Sequence, residues 1–220
     1  MDCKILVIIP CYNEEKNISG VVEELNKELP DAEILIVNDN SNDQSLNVIK
    51  KLNIIYLDLP FNLGYSGALQ AGFKYAVRNN YDYVIQFDGD GQHIPSEAKK
   101  LLDSMLINNY DIVIGSRFKE NTEYNHGFLK KIGTSVFHLL IKLICKKDIY
   151  DPTSGFQVLN KKVFTHYSKM SNFPEFPDAN LIIDMFLKEY KKICKEHDPQ
   201  PALKILKSWG ALKEGIHAAH

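Results

Sequence analysis

The sequence predicts an α/β domain with three layers (α/β/α), in which helices cover both faces of a mostly parallel sheet. In the first half of the chain, short apolar runs alternate with segments whose apolar residues recur at helical spacing, and this alternation is typical of such a sheet. Polar clusters follow directly after three of the apolar runs, where ligands bind in open parallel sheets. A chain of 220 residues, of which 45% are hydrophobic, can bury an ordinary core.

The first strand and helix are predicted from residues near the amino terminus. Residues 5–9 form a continuous β-branched and apolar run, typical of a buried parallel strand, and the run stops at Pro10. Asn13 is placed to cap the following helix. The apolar residues at helical spacing in that helix are Ile18, Val21, Val22, Leu25 and Leu29.

The same alternation predicts the remaining elements. The predicted strands lie at residues 34–37, 54–57, 83–87 and 112–114. Of the three helices predicted between them, the first carries Leu46 and Ile49, the second covers residues 66–77, and the third begins at Ser96. Beyond Gly115 the alternation weakens, and one amphipathic helix is expected over residues 128–147, from Phe128 to Lys147. We assign residues 1–196 to a single domain and residues 197–220 to a C-terminal tail.

Charge and cysteine content exclude several classes of protein. With 26 basic residues, 28 acidic residues and a net charge of -2, the chain has no global field that would recruit nucleic acid, so phosphate binding must be local. The 4 cysteines form no CxxC pair, which argues against a zinc site or a disulfide scaffold. Neither a signal-peptide core nor an apolar run of roughly 20 residues is found, so we expect a cytoplasmic protein.

Two sets of polar residues at predicted strand ends are candidates for ligand binding. Asp88-Gly89-Asp90 places two carboxylates where both can reach one hard divalent ion, or where one can hold the ion and the other a ribose. The ion would offset the charge of a diphosphate. Asp-Gly is also a common hairpin turn, but the helix predicted after it favours the site. Asp39 can accept from a base N–H or a ribose hydroxyl. The alternative is that Asp39, Ser41 or Asp43 caps a helix. Asn40 can adopt a positive φ in either case.

Seven motifs occur in the same order as in a known family. They are Val7-Ile8-Ile9-Pro10-Cys11-Tyr12-Asn13-Glu14, Ile36-Val37-Asn38-Asp39-Asn40-Ser41-Asn42-Asp43, Asn62-Leu63-Gly64, Phe87-Asp88-Gly89-Asp90-Gly91-Gln92-His93, Ile114-Gly115-Ser116-Arg117-Phe118, Asp151-Pro152-Thr153-Ser154-Gly155-Phe156 and Phe173-Pro174-Glu175. Over roughly residues 4–193 the chain resembles the family 2 glycosyltransferases. Within that family it is similar to polyprenyl-phosphate sugar transferases and bacterial surface-polysaccharide transferases of the GT-A fold.

The resemblance implies a role for each matching residue. The nucleoside would be held by Pro10, Tyr12, Glu14 and Asp39, and the backbone at Gly64 would approach it. Ribose, metal and diphosphate would be contacted by Asp88, Gly89 and Asp90. The donor sugar would be bordered by Gln92 and His93. Mg²⁺ or Mn²⁺ would bind Asp90 and Asp88. The family commonly reads Asp-Asp-Gly-Ser where this chain has Asn38-Asp39-Asn40-Ser41, so within this motif the nucleoside contact is assigned to Asp39 alone.

The implied reaction is inverting, metal-dependent transfer of a sugar from a nucleotide-diphosphate sugar to a polyprenyl-phosphate or saccharide acceptor, in cell-envelope polysaccharide or glycolipid synthesis. Glu175 and Asp178 are candidate general bases, which a sugar hydroxyl needs and an anionic lipid phosphate does not; otherwise they belong to a solvated loop. The lysine-flanked residues 128–147 either dock at the inner face of the plasma membrane or pack on the sheet. The alternative functions are a sugar nucleotidyltransferase and a non-catalytic nucleotide-sugar-binding relative.

Overall fold

A computed structural model describes residues 3–91, 93–115 and 155–169, together with the backbone of residues 216–219. The strands in these ranges are β1 (Ile5–Cys11), β2 (Ala32–Asn38), β3 (Ile55–Asp58), β4 (Tyr83–Gln86), β5 (Ile112–Gly115), β6 (Gln157–Asn160) and β7 (Ile216–Ala219). The helices are α1 (Ile18–Glu28), α2 (Ser45–Lys51), α3 (Gly64–Arg78), α4 (Pro95–Asn108) and α5 (Lys161–Ser168). No helix among these residues is both long enough and apolar enough to cross a bilayer.

The strands form one mixed sheet in the order β3-β2-β1-β4-β6-β5-β7. β1 lies between β2 and β4 and is parallel to both, and β3 is parallel to β2. β6 runs antiparallel between β4 and β5, and β7 pairs antiparallel with β5. The prediction of a mostly parallel sheet is confirmed. Neither β6 nor β7 was predicted, and β7 lies in the segment assigned to the tail.

The hydrophobic core has two layers because successive residues of a strand point to opposite faces of the sheet. On β1, Val7 and Ile9 pack with α1, α2 and α4, whereas Leu6 and Ile8 pack with α3 and α5. All four of these side chains are 0% exposed. The predicted three-layer α/β/α architecture is therefore confirmed, and it leaves the carboxyl ends of β1, β2 and β4 at one edge of the sheet.

One local prediction was wrong. Asn13 does not cap a helix, because α1 begins at Ile18 after Asn17. Asn13 instead adopts a left-handed backbone with φ of 59°, and its side-chain Oδ1 accepts from the backbone N–H of Asn42 at 2.8 Å. Hydrogen bonds to the loop after β2 therefore prevail over local capping. The helix predicted over residues 128–147 lies outside the described residues.

Candidate active site

The loops after β1 and β2 are joined by hydrogen bonds between side chains and backbone. The backbone N–H of Asn13 donates to Ser41 Oγ at 3.0 Å, and the backbone N–H of Glu14 donates to Ser45 Oγ at 2.7 Å. The hydroxyl oxygen of the exposed Tyr12 accepts a hydrogen bond from Asn42 Nδ2 at 3.2 Å. These contacts fix the loop that carries Tyr12 and Glu14, both predicted to hold the nucleoside, against the end of β2.

Asp43 adds to this junction and stays ionised to lower pH than an ordinary aspartate. Partial burial opposes ionisation, but hydrogen bonds from Ser45 and from the backbone N–H of Glu15 outweigh it and lower the pKa of Asp43. The two backbone bonds measure 2.8 Å from Ser45 and 3.2 Å from Glu15. Burial raises the pKa of the nearby Cys11 thiol to about 11, so this cysteine is a neutral packing residue at pH 7.

Asp39 lies where β2 ends and is 3% exposed. Its backbone N–H donates to the carbonyl of Cys11 at 2.9 Å, and its Oδ1 accepts from the backbone N–H of Leu63 at 2.7 Å. The carboxylate therefore stabilises the start of α3 and not the start of α2. Asn40 has a positive φ of 56°, as expected for the turn that follows.

The residue before Asp39 is Asn38, and its contact with Asp58 is consistent with an amide where the family pattern has its first aspartate. Its Nδ2 donates to Asp58 Oδ1 at 2.7 Å, across the end of β3. A carboxylate at position 38 would face the carboxylate of Asp58, whereas the amide forms a hydrogen bond with it. The amide at position 38 and the carboxylate at position 58 thus form a complementary pair.

Asp88 lies just after β4 in a network of polar and aromatic side chains. Its Oδ1 accepts from the Tyr65 hydroxyl at 2.9 Å, and its Oδ2 lies 2.8 Å from His93 Nε2. The Tyr65 hydroxyl oxygen in turn accepts a hydrogen bond from Gln86 Nε2 at 3.0 Å. The imidazole of His93 is stacked on Phe156, with ring centroids 4.9 Å apart. The network orients the Asp88 carboxylate.

Gly89 brings the loop after β4 against the end of β1. A Cβ atom at this position would lie 3.2 Å from the carbonyl oxygen of Pro10, so the two backbones approach closely. Asp90 follows, half-buried, before Gly91 with φ of 75°. The structure thus brings Pro10 and Gly89 together at the edge where Asp39 and Asp88 also lie.

The donor set at this edge fits a divalent cation that is shared with a substrate. Asp88 and Asp90 supply carboxylate oxygens, which Mg²⁺ and Mn²⁺ prefer, and such ions commonly take one or two carboxylates and complete their shell with phosphate oxygens and water. In the part of the chain that is described, no three histidine, cysteine or acidic side chains gather as a metal cage. Phosphate oxygens would supply further ligands to an ion held by these two carboxylates.

Some of the other predicted site residues lie within the described part of the chain, and some lie outside it. Gly64 has φ of 74°, in the left-handed region, and its backbone N–H donates to Asn62 Oδ1 at 2.9 Å. The Glu14 carboxylate accepts from Asn17 Nδ2 at 2.8 Å, which links it to the start of α1. Gln92, Glu175 and Asp178 lie outside the described residues, and their assignments stay predictions.

Tyr65 contacts Asp88 and Gln86 supports it, and neither residue was predicted from the sequence. Gln86 is 2% exposed, and it is a polar residue within the apolar run of β4. A buried amide in a central strand requires hydrogen-bond partners and could have indicated the network. No comparable signal marks Tyr65, because its contact with Asp88 joins residues that are distant in the chain.

The fold and the site define an α/β domain with acidic side chains at the carboxyl edge of a mostly parallel sheet, the edge where such domains bind their ligands. The family model described as "Glycosyl transferase family 2" matches residues 6–168. The chain belongs to this family and carries its glycosyltransferase domain, as the sequence motifs predicted.

Two similar proteins are named as transferases that use a dolichyl phosphate. The UDP-N-acetylglucosamine–dolichyl-phosphate N-acetylglucosaminyltransferase of Methanococcus voltae is 29% identical over 202 residues, covering 82% of this chain and 80% of that protein. The dolichol-phosphate mannosyltransferase of Pyrococcus furiosus is 32% identical over 171 residues, covering 73% of this chain and 47% of that protein. The chain thus spans from about half to four fifths of the length of these two relatives.

Solved structures share the fold. Glucosyl-3-phosphoglycerate synthase of Mycobacterium tuberculosis, in complex with Mn²⁺, uridine-diphosphate-glucose and phosphoglyceric acid, matches with a TM-score of 0.66 and 16% identity. The match covers 84% of this chain and 66% of that chain. At this level of identity the likeness shows the fold alone, and the fold is that of the GT-A glycosyltransferases.

Proposed function

We propose that this protein transfers a sugar from a nucleotide-diphosphate sugar to a polyprenyl-phosphate acceptor, with inversion at the anomeric carbon. The observation that carries the proposal is the placement of Asp39 and Asp88 at one edge of the sheet, bonded respectively to Leu63 and Tyr65 at the start of α3. The nucleoside would bind at Asp39 and the loop carrying Tyr12, and the diphosphate would bind at Asp88 and Asp90. The donor would then span the ends of β2, β1 and β4.

The divalent ion, Mg²⁺ or Mn²⁺, would be held by Asp90 with Asp88 and would neutralise charge on the leaving diphosphate. A phosphate oxygen of the acceptor would attack the anomeric carbon while the bond from that carbon to the diphosphate breaks. The products are the lipid-linked sugar phosphate and the nucleoside diphosphate. An acceptor phosphate is already anionic at neutral pH, so this route needs no general base.

A saccharide acceptor is the alternative, and it would require a base to remove the hydroxyl proton. Glu175 and Asp178 would then be the candidates. The names of the relatives from Methanococcus voltae and Pyrococcus furiosus, both acting on dolichyl phosphate, favour the lipid acceptor. A role in envelope polysaccharide or glycolipid synthesis, at the inner face of the plasma membrane, follows from that acceptor. Residues 128–147 would supply the membrane contact.

The test is a product assay with UDP-, GDP- and dTDP-sugars, Mn²⁺, and either a short-chain polyprenyl phosphate or an oligosaccharide. We expect nucleoside diphosphate and a lipid-linked sugar in equal amounts, and no product from Asp90→Ala. A parallel assay would supply a nucleoside triphosphate and a sugar 1-phosphate, and release of pyrophosphate from that mixture would instead identify a sugar nucleotidyltransferase. Tight binding of a nucleotide sugar without turnover on any acceptor would identify a non-catalytic relative.

A further inference from the structure

The start of α3 contacts both carboxylates to which the proposed function assigns a ligand. The backbone N–H of Leu63 donates to Asp39 Oδ1 at 2.7 Å, and the Tyr65 hydroxyl donates to Asp88 Oδ1 at 2.9 Å. Only Gly64 separates the two donors, and its φ of 74° is a conformation that other residues rarely adopt. Three consecutive residues therefore connect the nucleoside end of the site to its metal end.

The direction of the Tyr65 hydroxyl follows from its partners. A phenol carries one proton, and a carboxylate can only accept. Gln86 Nε2 donates to the phenol oxygen at 3.0 Å, so the phenol proton is available to Asp88. Because His93 Nε2 lies against the other oxygen of Asp88 at 2.8 Å, both oxygens are held and the carboxylate cannot rotate freely.

Gly155 has no side chain, and this leaves room for the Tyr65 hydroxyl. A Cβ atom on Gly155 would lie 2.6 Å from that hydroxyl oxygen and 3.3 Å from Asp88 Oδ2. The first distance is shorter than a nonbonded contact permits, so any side chain at position 155 must displace the hydroxyl. Buried Gly155 thus allows the contact between Tyr65 and Asp88.

We propose that Leu63, Gly64 and Tyr65, here called the α3 bracket, position Asp39 and Asp88 relative to each other, with Tyr65 as a positioning residue for the metal-binding carboxylate. The inference rests on the proposed function, because it assigns Asp88 to the metal and diphosphate. Hydrogen-bond partners of a metal-binding carboxylate orient it, and removing one typically weakens metal binding or activity about 10- to 100-fold.

Tyr65→Phe removes the hydroxyl and keeps the ring. Mn²⁺ binding in the presence of UDP, or of whichever of GDP, dTDP and CDP binds the wild type, would be followed by electron paramagnetic resonance. We expect the Mn²⁺ dissociation constant, and the Mn²⁺ concentration for half-maximal activity, to rise about 10-fold. At saturating Mn²⁺, kcat should stay within about twofold, because only binding has been weakened. The matched control is Tyr56→Phe on β3, also exposed, which should change neither quantity.

Gly155→Ala tests the same contact without removing the hydroxyl. It should weaken Mn²⁺ binding by less in the Tyr65→Phe background than in the wild type, because the tightest contact of the new Cβ atom, with the hydroxyl, is absent there. Additive effects of the two substitutions would contradict the proposal.

A crystal structure of Tyr65→Phe supplies a readout that requires no ligand. The Asp88 carboxylate should turn away from its wild-type orientation, and an unchanged carboxylate together with unchanged Mn²⁺ constants would overturn the inference. Failure of the wild type to bind any of the four diphosphates would instead refute the proposed function, and the orientation of Asp88 would still decide the role of the bracket.

Discussion

Asp39→Asn separates the structural role of this side chain from its proposed contact with the nucleoside. Asp39 is 3% exposed and accepts from the Leu63 N–H at 2.7 Å. Asparagine can keep this bond through its carbonyl oxygen, but it loses the negative charge and presents an amide nitrogen in place of the second carboxylate oxygen. We therefore expect the variant to fold normally and to bind the nucleoside diphosphate more weakly.

The size of the effect follows from the type of bond that is lost. A hydrogen bond to a charged group contributes about 1.5–3 kcal/mol, which corresponds to an increase of about 10- to 150-fold in the dissociation constant. Asp39→Ala would in addition remove the acceptor of the Leu63 N–H, whose bond to Asp39 is part-buried, at a cost of about 1–3 kcal/mol. For a chain of this length, that cost lowers the melting temperature by about 2–12 °C.

Isothermal titration calorimetry with Mn²⁺ and the nucleoside diphosphate that binds the wild type would measure the affinity, and thermal unfolding would measure the stability. The matched control is Asp58→Asn, which lies at the end of β3 and keeps an acceptor for Asn38 Nδ2. The control should bind as the wild type does. Equal affinity of Asp39→Asn and the wild type would refute the assignment of the nucleoside to Asp39.

Three further predictions concern the fold that holds the site. Gly72→Ala would place a Cβ atom 2.5 Å from Ile8 Cγ2, so urea unfolding should show a loss of about 1–2 kcal/mol after the gain in helix propensity. Asp43→Asn keeps only one acceptor oxygen for the backbone N–H groups of Ser45 and Glu15, so it should cost about 1 kcal/mol at pH 7. Because the folded pKa of Asp43 is lowered, that difference should shrink in unfolding curves as the pH falls below about 4. Site-resolved mass spectrometry after iodoacetamide treatment at pH 8 should find exposed Cys3 alkylated and buried Cys11, with its pKa of about 11, protected until unfolding.

The parallel part of the sheet could be predicted because its strands are buried on both faces. Such strands appear in the sequence as continuous apolar runs, and β1 and β2 match the predicted runs to within two residues at each end. The positions of Asp39 and Asp88 followed directly, since loops after parallel strands meet at one edge of the sheet. These features depend on residues that are close in sequence.

Other features depend on contacts between distant residues and left no local pattern. β6 is four residues long and lies between β4 and β5, which precede it by 42 residues or more. The contact of Tyr65 with Asp88 joins residues 23 apart. Asn13 has the composition of a helix cap, but hydrogen bonds to Ser41 and Asn42, 28 and 29 residues away, fix it in a different role.

The most direct test of the central claim is thermal unfolding of the wild type and of Asp90→Ala with UDP, GDP, dTDP and CDP, each with and without Mn²⁺ or Mg²⁺. A diphosphate at 100 times its dissociation constant stabilises the folded state by about 2.7 kcal/mol, or about 5–10 °C for a chain of this length. We predict a shift of this size with one diphosphate, dependent on the metal and lost in Asp90→Ala. Melting temperatures that no diphosphate changes, with or without metal, would contradict the assignment of a nucleotide-sugar site to this edge of the sheet.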